Sequence, residues 1–378
     1  MRGLLSIAYR LLITDRARYA TLLLGISTAV FLMISVTSVF AGVLRNASAL
    51  VTNIGASMWV MDPSLQAVAN SIPLPDGLLD EVRSLPGVKY AVPLYSGLAL
   101  LKLQSGFYQA VTIIGLDDAS LMGRPQLPEG RIEDLFAENA FIAVEDSEFP
   151  KLQNPHVGTE FELNDHRGVI VGIATVPRTT LFGIPTLYTT YNRARQYIPN
   201  SRFTMSYVLV EPKRRADMPR IAHDIAALGY LALTKQAFIS KNTDFYLYHT
   251  GVGVNLLVMT LVSLIMGLSI SGQTFYAFVL ENIDRFATLK AIGTSVRALI
   301  SMIVFQATLV ALTGYGIGAG ASVVALWVIR HLRPDYAAAT TYLNLALAVV
   351  MVCLIAALSS YIGIRILLRI EPFDLFRR

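Results

Sequence analysis

The segment Ala298–Ile329 decides the fold. It reads ALISMIVFQATLVALTGYGIGAGASVVALWVI and contains no charged residue. A helix needs about 20 apolar residues to cross a hydrocarbon core of about 30 Å. Because this segment is longer than a crossing requires, it predicts a membrane-spanning helix, with its membrane part at about residues 299–327.

Three further uncharged stretches pass the same test of length. They are Tyr19–Leu44, Phe245–Leu280 with its membrane part at about 252–279, and Tyr336–Ile364 with its membrane part at about 343–363. The composition agrees, since 54% of the residues are hydrophobic and only 15% are charged, whereas soluble domains carry about 25% charged residues. The sequence therefore predicts an α-helical membrane protein with four transmembrane helices.

The residues before the first span carry an apolar pattern of their own. Between Gly3 and Thr14, apolar residues recur at helical spacing with Arg10 opposite them; these residues are Leu4, Leu5, Ala8, Leu11 and Leu12. This pattern predicts a short helix lying in the membrane interface, and the alternative is a frayed N-terminus.

Lysine and arginine in the short flanking segments predict the orientation, because cytoplasmic loops carry an excess of both residues. They stand before the first span, between the second and third, and after the fourth: Arg2, Arg10, Arg16, Arg18, Arg285, Lys290, Arg297, Arg365, Arg369, Arg377 and Arg378. With four spans these segments share one side. We therefore expect a multi-pass protein of the cell inner (plasma) membrane with both termini in the cytoplasm, although Arg330 and Arg333 oppose the rule.

Residues 46–248 are predicted to form an extracytoplasmic α+β domain of two lobes, because about 200 residues can bury their own core. Residues 1–45 then hold the first span and 249–378 the other three. The predicted strands are Met58–Met61, Tyr90–Leu103, Tyr108–Gly115, Phe141–Val144, Glu160–Leu163, Gly168–Ala174 and Ser206–Glu211, and the predicted helices are Leu78–Ser84 and Met218–Leu228.

The sequence offers no catalytic or metal-binding constellation. His156, His166 and His223 lack metal-ligand spacing, and the one cysteine, Cys353, lies in an apolar run. No Gly-x-x-x-x-Gly-Lys-Ser/Thr loop occurs, so any ATP must be bound by another subunit. The net charge of +5 comes from basic residues beside apolar spans, which indicates contact with membrane lipid and not with nucleic acid. We expect no enzyme activity, cofactor or metal in this chain.

Residues 281–293, between the second and third spans, predict a short amphipathic helix. Phe286, Ala287, Leu289 and Ile292 provide an apolar flank; Gly293 suits the helix end, and Thr294 or Ser295 a new N-cap. An exposed apolar strip would suit docking into the groove of a partner. The alternative is a helix lying against lipid headgroups.

Four glycines in the third span, Gly314, Gly316, Gly318 and Gly320, form two interleaved Gly-x-x-x-Gly pairs. Small residues at this spacing allow two helix backbones to approach closely in lipid. The pattern predicts packing against another span, either within the chain or in a dimer.

Several segments resemble FtsX-like, MacB-type ABC transporter permeases. Arg285–Arg297 (RFATLKAIGTSVR) resembles the cytoplasmic signature, Gln306–Gly318 (QATLVALTGYGIG) the third span, and Ile370–Arg377 (IEPFDLFR) the usual ending. An acidic residue is frequent in the family where Gln306 stands. Resemblance to the periplasmic core domain is carried by Leu85–Pro93 (LPGVKYAVP), Ile113–Asp117 (IIGLD) and Val157–Leu163 (VGTEFEL), and Met58–Asp62 (MWVMD) is most similar to the DevC branch, which lacks a fused ATPase domain.

The resemblance implies a permease that relays closure of a separate ATPase subunit to the periplasmic domain. It further implies ATP and Mg²⁺ in that subunit, a second permease copy or a paralogue, and in many members a periplasmic adaptor and outer-membrane channel. By resemblance, residues 281–293 form the coupling helix that contacts the ATPase, through Glu281, Asp284, Arg285, Phe286, Leu289, Lys290 and Gly293.

Two functions from different classes fit this outline. The first is export or extraction of a substrate from the periplasmic side, which the size of the domain favours. The second is FtsX-like signalling across the membrane to an extracytoplasmic partner such as a cell-wall hydrolase. The sequence does not indicate the substrate.

Overall fold

The structure is a computed structural model, and residues 2–14, 16–178, 183–197, 205–333 and 336–368 are described here. The segment Ile370–Arg377, which resembles the family's usual ending, lies outside the described residues. The helices are α1 (Arg2–Thr14), α2 (Arg16–Ala47), α3 (Ala49–Ile54), α4 (Gly77–Ser84), α5 (Tyr191–Tyr197), α6 (Met218–Ala227), α7 (Lys235–Tyr248), α8 (Gly251–Glu281), α9 (Ile283–Ala291), α10 (Val296–Leu332) and α11 (Tyr342–Leu368). The strands are β1 (Met58–Met61), β2 (Val88–Lys102), β3 (Tyr108–Leu116), β4 (Gln126–Gly130), β5 (Ala140–Val144), β6 (Glu160–Leu163), β7 (His166–Thr175), β8 (Thr186–Thr190), β9 (Tyr207–Pro212) and β10 (Leu231–Thr234).

The chain divides into two compact units. One, the helical unit, comprises the described residues up to Gly42, Val252–Leu332 and those from Tyr336 onward. The other, the sheet unit, comprises the described residues of Val43–Gly251 together with Arg333. The domain limits predicted from the sequence, 45/46 and 248/249, fall within a few residues of these borders.

Four helices among the described residues are long and apolar enough to cross a membrane. They run over Tyr19–Ala47, Gly251–Glu281, Val296–Leu332 and Tyr342–Arg365, which confirms the four predicted spans. The fourth begins later than its uncharged stretch suggests, because residues 336–341 are extended and the helix starts at Tyr342.

The N-terminal segment forms helix α1, so the frayed alternative is wrong. Ala8 and Leu12 are buried in the core of the helical unit, whereas Ile7 and Tyr9 are exposed. The helix contacts α10. Ala8 and Leu12 are four residues apart and therefore lie on the same side of the helix. This apolar side packs against the other helices of the helical unit.

The sheet unit is an α+β domain, as predicted, and the ten strands formed by its described residues are joined in one sheet. The strand order is β10-β1-β9-β2-β3-β8-β5-β7-β4, and β6 pairs with both β2 and β7. The joining element is β2, which pairs with β9 along Val88–Leu94 and with β3 along Tyr95–Lys102. One long strand thus connects the two predicted lobes through continuous hydrogen bonding.

Both faces of this sheet are covered. Side chains alternate along a strand, so in β1 Met58 and Val60 enter one apolar core while Trp59 and Met61 enter the other. All four are buried. The second core contains Trp59, whose ring centroid lies 5.3 Å from that of Tyr207.

Three strands, β4, β8 and β10, were not predicted. The sequence of β8, Thr186–Thr190, is mostly threonine, yet all five residues are buried between β3 and β5. Burial is possible because hydroxyls can be satisfied within the protein: Thr189 Oγ1 donates to the carbonyl oxygen of Ala140 at 3.0 Å.

Candidate functional site

The candidate site is helix α9, which separates α8 from α10. Asn282 stands between α8 and α9; it is buried, and its Nδ2 donates to the carbonyl oxygen of Phe278 at 2.9 Å. At the other end Gly293 has a φ of +100°, a conformation that side chains disfavour. The backbone N–H groups of Gly293 and Thr294 donate to the carbonyl oxygens of Lys290 and Leu289. This closed turn fixes the direction in which α10 leaves.

One face of α9 is anchored in the helical unit. Phe286 is fully buried, Ala287 is 1% exposed, and Leu289 packs partly against the same core. The expectation that Phe286 belongs to an exposed apolar strip is therefore corrected. The reason is that the neighbouring helices offer a core into which a large ring can be buried, which stabilises the fold more than exposure does.

The opposite face of α9 is exposed. Its residues recur three and four apart and form a continuous stripe, which we call the outer stripe: Glu281, Asp284, Arg285, Thr288, Ala291 and Ile292. Ile292 is 79% exposed, a large value for an isoleucine. Arg285 donates from Nη1 to Asn282 Oδ1 at 2.9 Å, which holds its guanidinium at the start of the helix. Lys290 is half-buried at the edge of the stripe.

The structure separates the four glycines of α10 into two kinds. A Cβ added at Gly314 would meet Ile26 at 2.8 Å, and one at Gly318 would meet the carbonyl oxygen of Ser27 at 2.5 Å. Ser27 Oγ also donates to the carbonyl oxygen of Gly314 at 3.1 Å. By contrast, a Cβ at Gly316 or Gly320 would meet no described atom within 4 Å. Gly314 and Gly318 thus pack on α2, whereas the other pair faces away from the described chain.

Gln306 is a residue whose place the sequence did not reveal. It lies in α10, is fully buried, and donates from Nε2 to the carbonyl oxygen of Ala8 in α1 at 2.8 Å. A lone amide within an apolar span signals a polar contact between helices. The sequence could not name the partner, because Ala8 contributes only its backbone.

The described residues do not bring together three or more histidine, cysteine, aspartate or glutamate side chains that could hold a metal ion. The outer stripe of α9 combines charged and apolar side chains on an exposed surface between the second and third spans.

Two family models together match most of the chain. The MacB-like periplasmic core domain matches residues 19–228, and the FtsX-like permease C-terminal matches residues 231–372. The first of these alone covers more than half of the sequence. With four apolar helices and an α+β sheet unit, the molecule is a membrane permease. The chain belongs to the ABC transporter permeases of the FtsX/MacB type.

Similar proteins carry the same description. An uncharacterized ABC transporter permease of Mycobacterium tuberculosis is 27% identical over 308 residues, which are 81% of this chain and 80% of the relative. Another, from Mycobacterium bovis, is 26% identical over 296 residues, 78% of this chain and 76% of the relative.

Solved structures of isolated domains are also similar. The periplasmic region of MacB from Actinobacillus actinomycetemcomitans has a TM-score of 0.37 at 12% identity and covers 52% of this chain and 92% of its own. The extracellular domain of the noncanonic ABC-type transporter YknZ from Gram-positive bacteria has a TM-score of 0.36 at 14% identity, with coverages of 47% and 99%.

Proposed function

We propose that this chain relays closure of a separate ATPase subunit through its spans to the sheet unit, and so drives export or extraction of a substrate. The observation that carries the proposal is the two-faced character of α9. Phe286 anchors one face in the helical unit, while the outer stripe leaves the other face open. A helix held in this way moves with its neighbours when a partner pushes on its free face, because packed interiors deform little.

The outer stripe has the composition of a docking surface. Asp284 and Arg285 provide charges of both signs, and Ile292 provides an apolar side chain that a partner would bury. Burying an exposed isoleucine contributes about 1.5–3 kcal/mol to association. We infer that the contact residues are Asp284, Arg285, Thr288 and Ile292, and that Phe286 acts by holding the helix.

The proposal places α9 and both chain termini in the cytoplasm of a cell whose inner (plasma) membrane holds the protein. The distribution of lysine and arginine supports this orientation, and the sheet unit is then extracytoplasmic. ATP and Mg²⁺ would be bound by the partner ATPase, since this sequence has no P-loop. A periplasmic adaptor with an outer-membrane channel remains a proposal from resemblance.

A second permease copy is also proposed. Helix α8 exposes large apolar side chains along much of its length: Val254, Leu257, Val258, Met259, Leu261, Val262, Ile265 and Met266. Either membrane lipid or the α8 helix of a second copy would cover this apolar surface. Either a homodimer or a pairing with a paralogue would bury this surface.

Co-purification tests the docking surface. The tagged full chain is expressed in its own host, and the ATPase recovered with it is recognised by its P-loop peptide. We expect Ile292→Asp and Arg285→Glu to reduce ATPase recovery about tenfold or more, since about 1.5–3 kcal/mol of contact energy is lost. The control is Val157→Asp, an equivalent change at an exposed apolar residue of the sheet unit.

A second readout separates docking from folding. Ile292→Asp must elute from a sizing column as the parent does, whereas Phe286→Asp is expected to misfold because it buries a charge. Undiminished ATPase recovery with Ile292→Asp and Arg285→Glu would contradict the proposal and would favour a helix lying on lipid headgroups. Recovery of a cell-wall hydrolase in place of transport partners would favour FtsX-like signalling.

A further inference from the structure

A cavity of about 420 Å³ lies at the end of α10 farthest from α9. It is lined by Val323, Leu326, Trp327, Arg330 and His331 from α10, and by Ala338 and Thr340 from the extended segment that precedes α11. We call residues 336–341 the strap. The lining thus combines apolar side chains, an aromatic ring and a cationic group within one concave surface.

The strap forms a fixed wall of the cavity. The backbone N–H of Ala339 donates to the carbonyl oxygen of Ser38 in α2 at 2.8 Å, and Asn344 Nδ2 lies 3.3 Å from the carbonyl oxygen of Ala339. Gly42 lets the strap approach, because a Cβ there would lie 2.5 Å from the backbone of Ala337. Ser38 is fully buried and Ala339 nearly so. The wall is therefore present before any ligand arrives.

The other wall presents the chemistry. Trp327 is 68% exposed, and its indole is stacked on the imidazole of His331 with 5.9 Å between centroids. Arg330 is exposed beside them, and none of the ion pairs formed within the described part of the chain includes it. A guanidinium is weakly hydrated and binds phosphate through two parallel hydrogen bonds. Tryptophan prefers the level of the lipid headgroups at a membrane surface.

Arg330 lies in the last turn of α10 and lines the cavity. Under the predicted orientation it lies at the side of the membrane where few cations are expected. A cation retained at that side, next to a tryptophan and above apolar Val323 and Leu326, matches a molecule with an anionic head and an apolar tail. Charge complementarity therefore selects an anionic lipid over a zwitterionic one.

We propose that this cavity binds an anionic glycerophospholipid, with its phosphate on Arg330, its head against Trp327 and His331, and the start of an acyl chain on Val323 and Leu326. The lipid is a resident ligand of the outer end of α10. The inference rests on the proposed orientation, which places Arg330 outside the cytoplasm, and it does not depend on the docking of an ATPase at α9.

Tryptophan fluorescence tests the proposal, because the chain has two tryptophans, Trp59 and Trp327. The full chain is reconstituted in zwitterionic bilayers that contain a minor fraction of brominated phosphatidylglycerol, or the same fraction of brominated phosphatidylcholine. Bromine quenches a nearby indole. The variant Trp327→Phe gives the signal of Trp59 alone, which is buried in the sheet unit. This signal is subtracted from that of the parent chain.

We expect an apparent affinity about fivefold higher for the anionic lipid, the preference that one cation near a membrane surface provides. Arg330→Gln should remove most of this preference. The matched control is Arg297→Gln, an exposed arginine at the opposite end of α10, which should keep it. Unchanged Trp59 emission in both variants shows that the sheet unit has folded, and elution on a sizing column reports the whole chain.

Three results would overturn the proposal. Equal quenching by both lipids would show ordinary contact with the bilayer, and full preference in Arg330→Gln would assign the selectivity elsewhere. Loss of the preference on adding inorganic phosphate would show a site for the bare anion, with no requirement for a lipid.

Discussion

The packing of α10 on α2 can be tested by comparing alanine substitutions at two nearby glycines. Gly318 lies against α2, whereas Gly320, two residues further along the same helix, faces no described atom within 4 Å. Both are equally small and both are helical. We expect Gly318→Ala to destabilise the helical unit and Gly320→Ala to leave it unchanged or slightly more stable.

The magnitude follows from the distances. A Cβ at Gly318 would stand 2.5 Å from the carbonyl oxygen of Ser27 and 2.7 Å from the Cβ of Val30. Comfortable contact requires about 3.5 Å, so the two backbones must move apart by about 1 Å. Overpacking of this kind costs about 1–3 kcal/mol, and the better helix propensity of alanine returns up to about 1 kcal/mol. At Gly320 only the propensity gain applies.

Heating the detergent-purified chain and measuring the monodisperse fraction on a sizing column provides the assay. A net loss of about 1–2 kcal/mol lowers Tm by about 2–8 °C for a unit of this size. Gly314→Ala should lose less, because the side chain of Ile26 can move where the backbone of Ser27 cannot. Equal losses for Gly318→Ala and Gly320→Ala would refute the reasoning, since they would show that the outward glycines are also packed.

Further predictions use the same heating assay. Phe286→Ala should cost about 3–5 kcal/mol of stability, because it empties a fully buried site, whereas Ile292→Ala should change stability by less than about 0.5 kcal/mol. Asn242→Ala should cost about 1–3 kcal/mol, because the buried backbone N–H of Val68, now 3.0 Å from Asn242 Oδ1, would lose its acceptor. Burial raises the pKa of Asp146 to about 6, so its ionised form opposes folding at neutral pH. Asp146→Asn should therefore stabilise the chain at pH 7.5 by about 1–3 kcal/mol. The gain should fall as the pH drops through 6 and disappear below about pH 3, where the carboxyl is protonated in both folded and unfolded chains. An undiminished gain at pH 3 would show that charge is not the cause.

Much of the secondary structure could be predicted because it depends on short-range patterns. Met58–Met61 and Glu160–Leu163 are strands with the predicted bounds, and the four spans stand where uncharged stretches occur. The Gly293 turn followed from the ability of glycine to adopt a positive φ. Strand β8 was missed because its three threonines look like surface residues. They are buried, and the acceptor for the Thr189 hydroxyl, the carbonyl oxygen of Ala140, is distant in sequence.

The candidate site could be located from the sequence but not oriented. Residues 281–293 carry a helical pattern with apolar and charged positions, yet Phe286 and Ile292 are both large and apolar. The structure buries the first and exposes the second. The choice depends on which side of α9 faces the core of the helical unit, and the pattern of α9 does not contain that information.

By itself, the sequence determined that this chain crosses a membrane four times and has an α+β domain and a short helix between the second and third spans. The free energy of transferring a helix into lipid is a sum of contributions from consecutive residues, so a local apolar stretch is sufficient to predict a span. Only the tertiary structure decided which glycines pack, which face of α9 is free, and how the strap forms one wall of a cavity beside Arg330. These three features depend on close contacts between residues that are far apart in sequence. A displacement of about 1 Å turns such a van der Waals contact into a gap or a clash, so a local sequence pattern cannot specify it.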